Sequence, residues 1–181
     1  MENQRTVFID FIILSIAVGA NIIALFYQFY FDELPCPLCL LQRVGLFFIA
    51  FGALMNLRLG KQFKYDFIIV ISSLYSLTVA MRQVFLHIMP GDSGYGSKFL
   101  SLHFYTWNDI ISFLFIILIS ISPMFKNVNL ESLLSKILLS IKKITNLFFV
   151  LFLTLLVINI ILVYLECGFK QCPDNPVSYK Y

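Results

Sequence analysis

Charged residues are scarce in this chain of 181 residues: 13% are Asp, Glu, Lys or Arg, whereas 60% are hydrophobic. Soluble domains carry about 25% charged residues. The composition therefore excludes an ordinary soluble fold and indicates an integral membrane protein. The net charge of +3 comes from basic residues spread between the apolar stretches, so it gives no reason to expect nucleic-acid binding.

Histidine is also rare, since the chain has only His87 and His103. Two histidines without a nearby pair of carboxylates make a poor metal or haem site, and we predict no metal site. The sequence has no internal repeat and no low-complexity tract. Its first apolar stretch is too long for a signal peptide and is followed by no small-residue cleavage site, so we expect no cleavable leader.

Five stretches are long and apolar enough to cross a bilayer as α-helices, which takes about 20 residues each. They are residues 7–31, 40–59, 67–89, 107–125 and 144–165. Between the last two, leucines and isoleucines recur at helical spacing with charged residues off that stripe. This pattern is typical of an amphipathic helix on a membrane surface. The predicted fold is an all-α integral membrane protein with five spans and one interfacial helix.

The distribution of basic residues predicts which way the spans run. Eight Lys and Arg residues precede the first stretch or follow the second and fourth, on one side if five spans alternate. Cytoplasmic loops are enriched in Lys and Arg, so we expect the N-terminus inside and the C-terminus outside. All four cysteines then face the outer, oxidising side, where four cysteines normally form two disulfides.

The cysteines form two closely spaced pairs, Cys36 with Cys39 and Cys167 with Cys172. Neither pair closes a long loop, so a purely structural disulfide would add little chain-entropy stabilisation. Pro37 suits the first position of a helix, which places Cys36 near the N-cap of the second span. Free N–H groups and the helix dipole favour thiolates there. The first pair therefore indicates reversible redox chemistry.

Arg43 follows Cys39 by four residues, so it lies on the same helix face and about 6 Å deeper. A charge at that depth is costly unless it meets water or a partner. A guanidinium beside a cysteine pair can hydrogen-bond the carbonyl of a lipid-soluble oxidant and stabilise its reduced anion. The alternative is an interfacial arginine that extends to the headgroups, and the spacing alone leaves both open.

Residues 36–43, CPLCLLQR, follow one span and open the next. They resemble the quinone-reactive motif of the disulfide bond formation protein B (DsbB) family. The segment from Arg82-Gln83 to Pro90 and residues 94–107 also resemble that family, and the resemblance covers residues 7–125. It implies a bacterial inner-membrane enzyme that reoxidises a periplasmic DsbA-like thioredoxin-fold oxidase and passes the electrons to a membrane quinone, either ubiquinone or menaquinone. Both cysteine pairs would then be periplasmic.

The resemblance also implies roles for individual residues. Cys36 and Cys39 would exchange electrons with the quinone, Arg43 would help to bind it, and Arg82 is a second candidate for the same pocket. Relatives usually carry another cysteine pair between spans three and four, but residues 90–106 contain no cysteine. We hypothesise that Cys167 and Cys172 replace that pair as catalytic residues. The alternative is a structural disulfide that fixes the tail.

These interpretations divide the chain into four parts. Residues 1–125 form the DsbB-like bundle of four spans, 126–143 the cytoplasmic amphipathic helix, 144–165 the fifth transmembrane helix, and 166–181 the periplasmic tail. Two other functions stay open. A vitamin K epoxide reductase-like protein also joins a C-x-x-C motif to quinone, although the arginine spacing and the position after span one favour DsbB. The third is a non-enzymatic accessory subunit with structural disulfides.

Two further segments have an expected place but no assigned role. Phe104, Tyr105 and Trp107, at the start of the fourth span, are typical of an aromatic belt at a membrane interface. The outer loop of residues 89–101 contains Pro and several Gly residues and is expected to be flexible. It either covers the thiol site or receives the partner protein.

Overall fold

The computed structural model describes the backbone of residues 4–125, 131–173, 176 and 178–180, and the side chains of 7–123, 144–173, 176 and 178–180. Within this part, five helices are long and apolar enough to cross a membrane. The predicted all-α integral membrane fold is thus confirmed. The elements are α1 (Gln4–Tyr30), α2 (Pro37–Leu59), α3 (Phe63–Leu86), β1 (Lys98–Phe99), β2 (Leu102–His103), α4 (Phe104–Ile121), a short 3-10 helix (Ser122–Phe125) and α5 (Glu131–Cys167).

Helix α2 lies at the centre of the bundle, where it packs against α1, α3 and α5, while α4 packs on α3. The connection of residues 60–62 is so short that α2 and α3 are antiparallel neighbours. Apolar side chains fill the interior, and the fully buried ones include Ile13, Leu14, Ile49, Leu54, Ile69 and Phe115. Many other Phe, Ile and Leu side chains are exposed, as expected where the neighbouring solvent is lipid.

Small residues let α2 and α3 approach closely. A Cβ added at Gly45 would lie 2.8 Å from the Cβ of Ser76, and one added at Gly52 would lie 2.7 Å from Cγ1 of Ile69. Both distances are far below ordinary van der Waals contact, so any larger residue would push the helices apart. Close packing of this kind is how helices associate in membranes, and it brings polar groups of α3 next to the start of α2.

The helix ends differ from the predicted spans by a few residues, for local reasons. Helix α2 begins at Pro37 because Cys36 caps it. Helix α3 ends at Leu86, short of the predicted end at residue 89, since the residue before Pro90 is disfavoured in a helix. Helix α4 begins at Phe104. It directly follows an antiparallel hairpin of β1 and β2, which was not predicted from the sequence.

Helix α5 is one continuous helix from Glu131 to Cys167. Its backbone covers the predicted fifth span and most of the segment predicted as a separate amphipathic helix, so no break divides the two within residues 131–167. Residues 126–130 and the side chains of 131–143 lie outside the described part of the chain. The amphipathic face and its position on the cytoplasmic membrane surface therefore stay predictions.

The outer loop is tied to the segment that precedes α2. The Tyr95 hydroxyl donates a hydrogen bond to the Leu34 carbonyl at 2.7 Å, and the Ser97 N–H and hydroxyl donate to the Glu33 carboxylate. Burial, together with the carboxylates of Glu166 and Glu33, raises the pKa of Tyr95 to about 12, so this phenol is protonated at neutral pH. The loop thus lies over the end of the bundle at which α2 begins.

A polar cluster joins three elements at the opposite end. Asp10 of α1 is almost fully buried, and Lys61 of the α2–α3 connection lies 3.0 Å from it and 2.7 Å from Asp66 of α3. The Asn56 amide donates to both carboxylates. Lys61 therefore separates two carboxylates that would otherwise face each other.

Replacement of Lys61 by methionine should destabilise the bundle by about 3 kcal/mol, because it leaves a buried carboxylate without its cation. Thermal unfolding in detergent would show a lower midpoint, and adding Asp10→Asn should restore part of the loss. Lys64→Met is the matched control, since Lys64 is exposed and lies over the Tyr65 ring. An equal midpoint for the Lys61 and Lys64 variants would contradict the proposed role of the cluster.

Candidate active site

The first cysteine pair forms the N-terminal cap of α2. Cys36 is the N-cap residue with Pro37 in the first turn, as the sequence predicts, and its Sγ accepts a hydrogen bond from the Cys39 N–H at 3.1 Å. The two cysteines are joined by a disulfide. Cys36 is buried, whereas Cys39 is partly exposed. The pair is held at a helix terminus whose free N–H groups favour a thiolate once the disulfide opens.

The side chain of Gln83 on α3 contacts both sulfurs of this pair, a role that was not predicted from the sequence. Its side-chain amide donates to Sγ of Cys36 at 3.3 Å and to Sγ of Cys39 at 3.5 Å. Its oxygen accepts a hydrogen bond from the Gln42 amide at 2.7 Å, which fixes the direction of the N–H groups. Gln83 is fully buried. Donors to a sulfur stabilise its charged form, so Gln83 favours the reduced, reactive pair.

A signal for Gln83 was present in the sequence. The buried residues of α3 repeat at helical spacing, and they include Ile69, Ser73, Ser76, Ala80 and Gln83. A large amide in line with small residues marks the helix face that packs inward. Adjacent residues on a helix point in different directions, so Arg82 cannot share that face.

Arg82 is accordingly exposed and lies apart from the cysteines. It lines a shallow groove with Thr78, Met81, Phe85 and Leu86. It does not line the cavity that contains Cys39 and Arg43. The structure therefore brings together the sequence-predicted residues Cys36, Cys39 and Arg43, and it leaves Arg82 outside that group.

The Arg43 side chain lies between three helices instead of extending along the lipid-facing surface. One terminal nitrogen donates to the Gln28 oxygen of α1 at 2.7 Å and to the Asn159 oxygen of α5 at 3.4 Å. The other donates to the Ala24 carbonyl at 3.3 Å. All three acceptors are neutral, and Arg43 as a residue is 8% exposed. Such a buried cation in a membrane protein marks a functional site by default.

Cys39, Gln42 and Arg43 line one wall of a cavity of about 420 Å³ between α1, α4 and the outer loop. The remaining lining is mainly apolar or aromatic, and it includes Ile23 and Phe26, whose side chains are exposed. Sites for small molecules commonly occupy about 300–1,000 Å³ and combine apolar walls with a few polar groups. The cavity therefore has the size and lining of a site for a small, mainly apolar ligand.

The aromatic residues at the start of α4 belong to this cavity. Phe104, Tyr105 and Trp107 all line it, and the Trp107 indole N–H donates to the Phe99 carbonyl of the hairpin at 2.8 Å. These contacts give the three residues a place in the site, and their position in an interfacial belt stays a prediction. Tyr95 and Phe99 also line the cavity, so the outer loop covers it.

The second cysteine pair lies where α5 ends. Cys167 and Cys172 form a disulfide, with Cys167 buried and Cys172 partly exposed. Gly168 has a φ of +62°, a left-handed conformation that glycine adopts without strain, and it turns the chain out of the helix. The tail then returns, because the Lys180 N–H donates to the Leu165 carbonyl at 3.0 Å. The pair is thus held against the bundle.

The two histidines stay close to one tyrosine. The rings of His87 and His103 both stack on Tyr105, and Nδ1 of His87 lies 3.0 Å from the Asp92 carboxylate. The Gly94 N–H and His87 lower the pKa of Asp92. Within the described residues no group of three or more His, Cys, Asp or Glu side chains is arranged to hold a metal.

The fold and the site together define a multi-pass membrane protein. A disulfide lies at the start of its second membrane-spanning helix, and a guanidinium lies one turn further along the same helix. A model of the family described as disulfide bond formation protein DsbB matches residues 5–97, just over half of the chain. That match includes α1, α2, α3, the first cysteine pair and Arg43. The chain belongs to the DsbB family. Membership supports a role in disulfide bond formation, and it favours this family over the vitamin K epoxide reductase-like alternative.

Curated relatives agree with this assignment. The chain is 36% identical over 96 residues to disulfide bond formation protein B of Pseudomonas syringae pv. tomato, which covers 51% of this chain and 54% of the relative. It is 34% identical over 106 residues to the protein of that name from Chromobacterium violaceum, with 53% and 63% covered. The chain spans between half and two thirds of the length of these relatives. No solved structure matches it.

Loss of the Gln83 amide should slow the chemistry of the reduced cysteines. In Gln83→Leu, alkylation of the reduced first pair by iodoacetamide at neutral pH should be at least about tenfold slower, because a hydrogen bond to a charged group contributes about 1.5–3 kcal/mol. Thr78→Val is the matched control, since it removes an exposed polar group of α3 that bonds only its own helix. An unchanged alkylation rate in Gln83→Leu would remove Gln83 from the site.

Proposed function

We propose that this protein is a membrane thiol oxidase that reoxidises a DsbA-like thioredoxin-fold dithiol protein and passes the electrons to a membrane quinone, ubiquinone or menaquinone. The observation that carries the proposal is that Cys39 and Arg43 line the same apolar cavity. Membership of the DsbB family supports it. In this proposal the protein lies in the bacterial inner membrane, with its N-terminus cytoplasmic and both cysteine pairs periplasmic.

The cavity residues fit a quinone ring. A quinone accepts two electrons and two protons, which are what a dithiol releases when it becomes a disulfide. The apolar and aromatic walls suit the ring, and the Arg43 guanidinium suits a carbonyl oxygen that gains negative charge. A guanidinium has five N–H donors, and the described contacts of Arg43 use three of them. The remaining donors are available to the ligand.

The two cysteines of the first pair have different surroundings. Cys39 lines the cavity and Cys36 does not, so Cys39 is the sulfur that exchanges electrons with the quinone. Cys36 is left to exchange with an incoming dithiol. The Gln83 amide contacts both sulfurs and stabilises whichever of them is a thiolate after the disulfide opens.

The tail pair supplies the connection to the partner protein in this proposal. A partner thiolate attacks the Cys167–Cys172 disulfide, and Cys172 is the more exposed of these two sulfurs. The partner leaves oxidised and the tail pair is left as a dithiol. That dithiol then reduces the Cys36–Cys39 disulfide through a mixed disulfide. Two electrons and two protons pass at each exchange, and the quinone finally receives both.

Arg43→Ala and Arg43→Gln should each weaken quinone binding at least about tenfold, the effect of losing a hydrogen bond to a charged group. Binding can be followed without turnover, because Trp107 is the only tryptophan in the chain and lines the cavity. A short-chain quinone should quench its fluorescence. The Cys36–Cys39 disulfide should still form in both variants.

Arg58→Ala is the matched control for this experiment. Arg58 lies on the same helix as Arg43, but its guanidinium is over the Phe149 ring, away from the cavity. Quenching by the quinone should therefore be the same as in the unmodified protein. If the Arg43 variants also bind the quinone with unchanged affinity, Arg43 is not part of its site.

The relay is tested with two electron donors. In the double variant Cys167→Ser with Cys172→Ser, a reduced thioredoxin-fold partner should no longer drive quinone reduction, whereas a small dithiol such as dithiothreitol should still do so. The variant Cys36→Ser with Cys39→Ser should lose activity with both donors. Quinone reduction by the reduced partner at the normal rate in the tail variant would favour a structural role for Cys167 and Cys172.

A further inference from the structure

The fifth span contributes a polar group to the guanidinium site. Asn159 of α5 is 7% exposed, and its oxygen lies 3.4 Å from a terminal nitrogen of Arg43. Its own amide N–H donates to the Leu155 carbonyl one turn earlier at 2.9 Å. This bond within α5 fixes the side-chain amide with its oxygen towards Arg43. Span five therefore holds a hydrogen-bond acceptor at a defined position beside the cation.

The tail reaches the same cation through one intermediate. Gln28 is 2% exposed, its oxygen accepts from Arg43 at 2.7 Å, and its amide N–H donates to the Tyr179 hydroxyl at 3.0 Å. Because the amide nitrogen is engaged by the tail, its oxygen is directed at the guanidinium. The neighbouring Lys180 N–H bonds the end of α5, which keeps Tyr179 in place.

A second buried polar residue of α5 lies near the end of that helix. Glu166 is 1% exposed, and neither of its oxygens has a hydrogen-bond partner within the described residues. It interacts electrostatically with Arg43 and with Tyr95 of the outer loop. The acceptors around Arg43 thus come from α1 and α5, and the tail contacts one of them.

From this arrangement we infer that the fifth span and the tail are positioning elements of the quinone site. Asn159 and Tyr179 hold the Arg43 guanidinium in one orientation, the first directly and the second through Gln28. The free N–H groups of Arg43 are then directed into the cavity. This inference rests on the proposed function, in which Arg43 binds the quinone, and it gives the appended segment a role beyond anchoring the tail cysteines.

The inference is tested by a double-mutant cycle that measures quinone affinity from Trp107 quenching. Asn159→Leu should raise the dissociation constant about three- to tenfold, the effect of one hydrogen bond. In an Arg43→Ala background the same change should add less than about twofold, because interacting residues are not additive. Thr154→Val, on the lipid-facing side of α5, should leave the affinity unchanged in both backgrounds.

Two results would overturn parts of the scheme separately. Equal effects of Asn159→Leu in both backgrounds mean that Asn159 does not act through Arg43, and the positioning inference is then wrong while the quinone site stands. If Arg43→Ala itself has no effect on quinone affinity, the quinone does not bind at Arg43. The proposed function and the positioning inference are then both wrong.

The tail is tested by Tyr179→Phe, which removes one hydroxyl from a partly exposed side chain and leaves the buried core intact. The KM for quinone should rise about two- to threefold, within the range for a neutral hydrogen bond. The kcat and the reduction potential of Cys36–Cys39 should not change. Tyr30→Phe is the control, because Tyr30 is strongly exposed at the outer end of α1. An unchanged KM in Tyr179→Phe would exclude the tail from the site.

Discussion

The half of this protein that contains the cysteine pairs is organised around one buried cation. A guanidinium inside a membrane bundle must find acceptors, because neither lipid nor an apolar core offers any. Arg43 finds them on α1 and α5, and its position on α2 one turn below Cys39 ties those helices to the cysteine pair. The same requirement explains why buried Gln28 and Asn159 lie beside Arg43 in an otherwise apolar bundle. The positions of the Arg43 charge, of the cysteine sulfurs and of the cavity are thus linked by the need of a buried guanidinium for acceptors.

Much of the fold follows from local sequence rules. Span length and hydropathy are sufficient to identify five helices, since a membrane allows few other structures. Pro37 fixes the start of α2, so the capping role of Cys36 and the helix face shared by Cys39 and Arg43 were also predictable. The helix limits were less accurate, because the ends of α3 and α4 depend on the loop and hairpin between them.

The parts of the site that were missed depend on packing between helices. Gln83 contacts the sulfurs only because Gly45 and Gly52 let α3 approach α2. The sequence resemblance drew attention to Arg82, but one residue is a rotation of about 100° on a helix of 3.6 residues per turn. Because of that rotation, the Gln83 side chain contacts the sulfurs whereas the Arg82 side chain is exposed. Similarly, a membrane interface and a cavity wall both contain aromatic residues at the start of a helix. Residue type alone therefore does not distinguish the two.

Ile23 and Phe26 line the cavity and have exposed side chains within the membrane-spanning part of α1. A ligand that enters past them comes from the surrounding lipid and not from water. Occupancy of the cavity then depends on the mole fraction of the ligand in the surrounding lipid. At fixed amounts of ligand and protein, adding lipid lowers the occupancy of the cavity by surface dilution. The bulk concentrations of ligand and protein are unchanged.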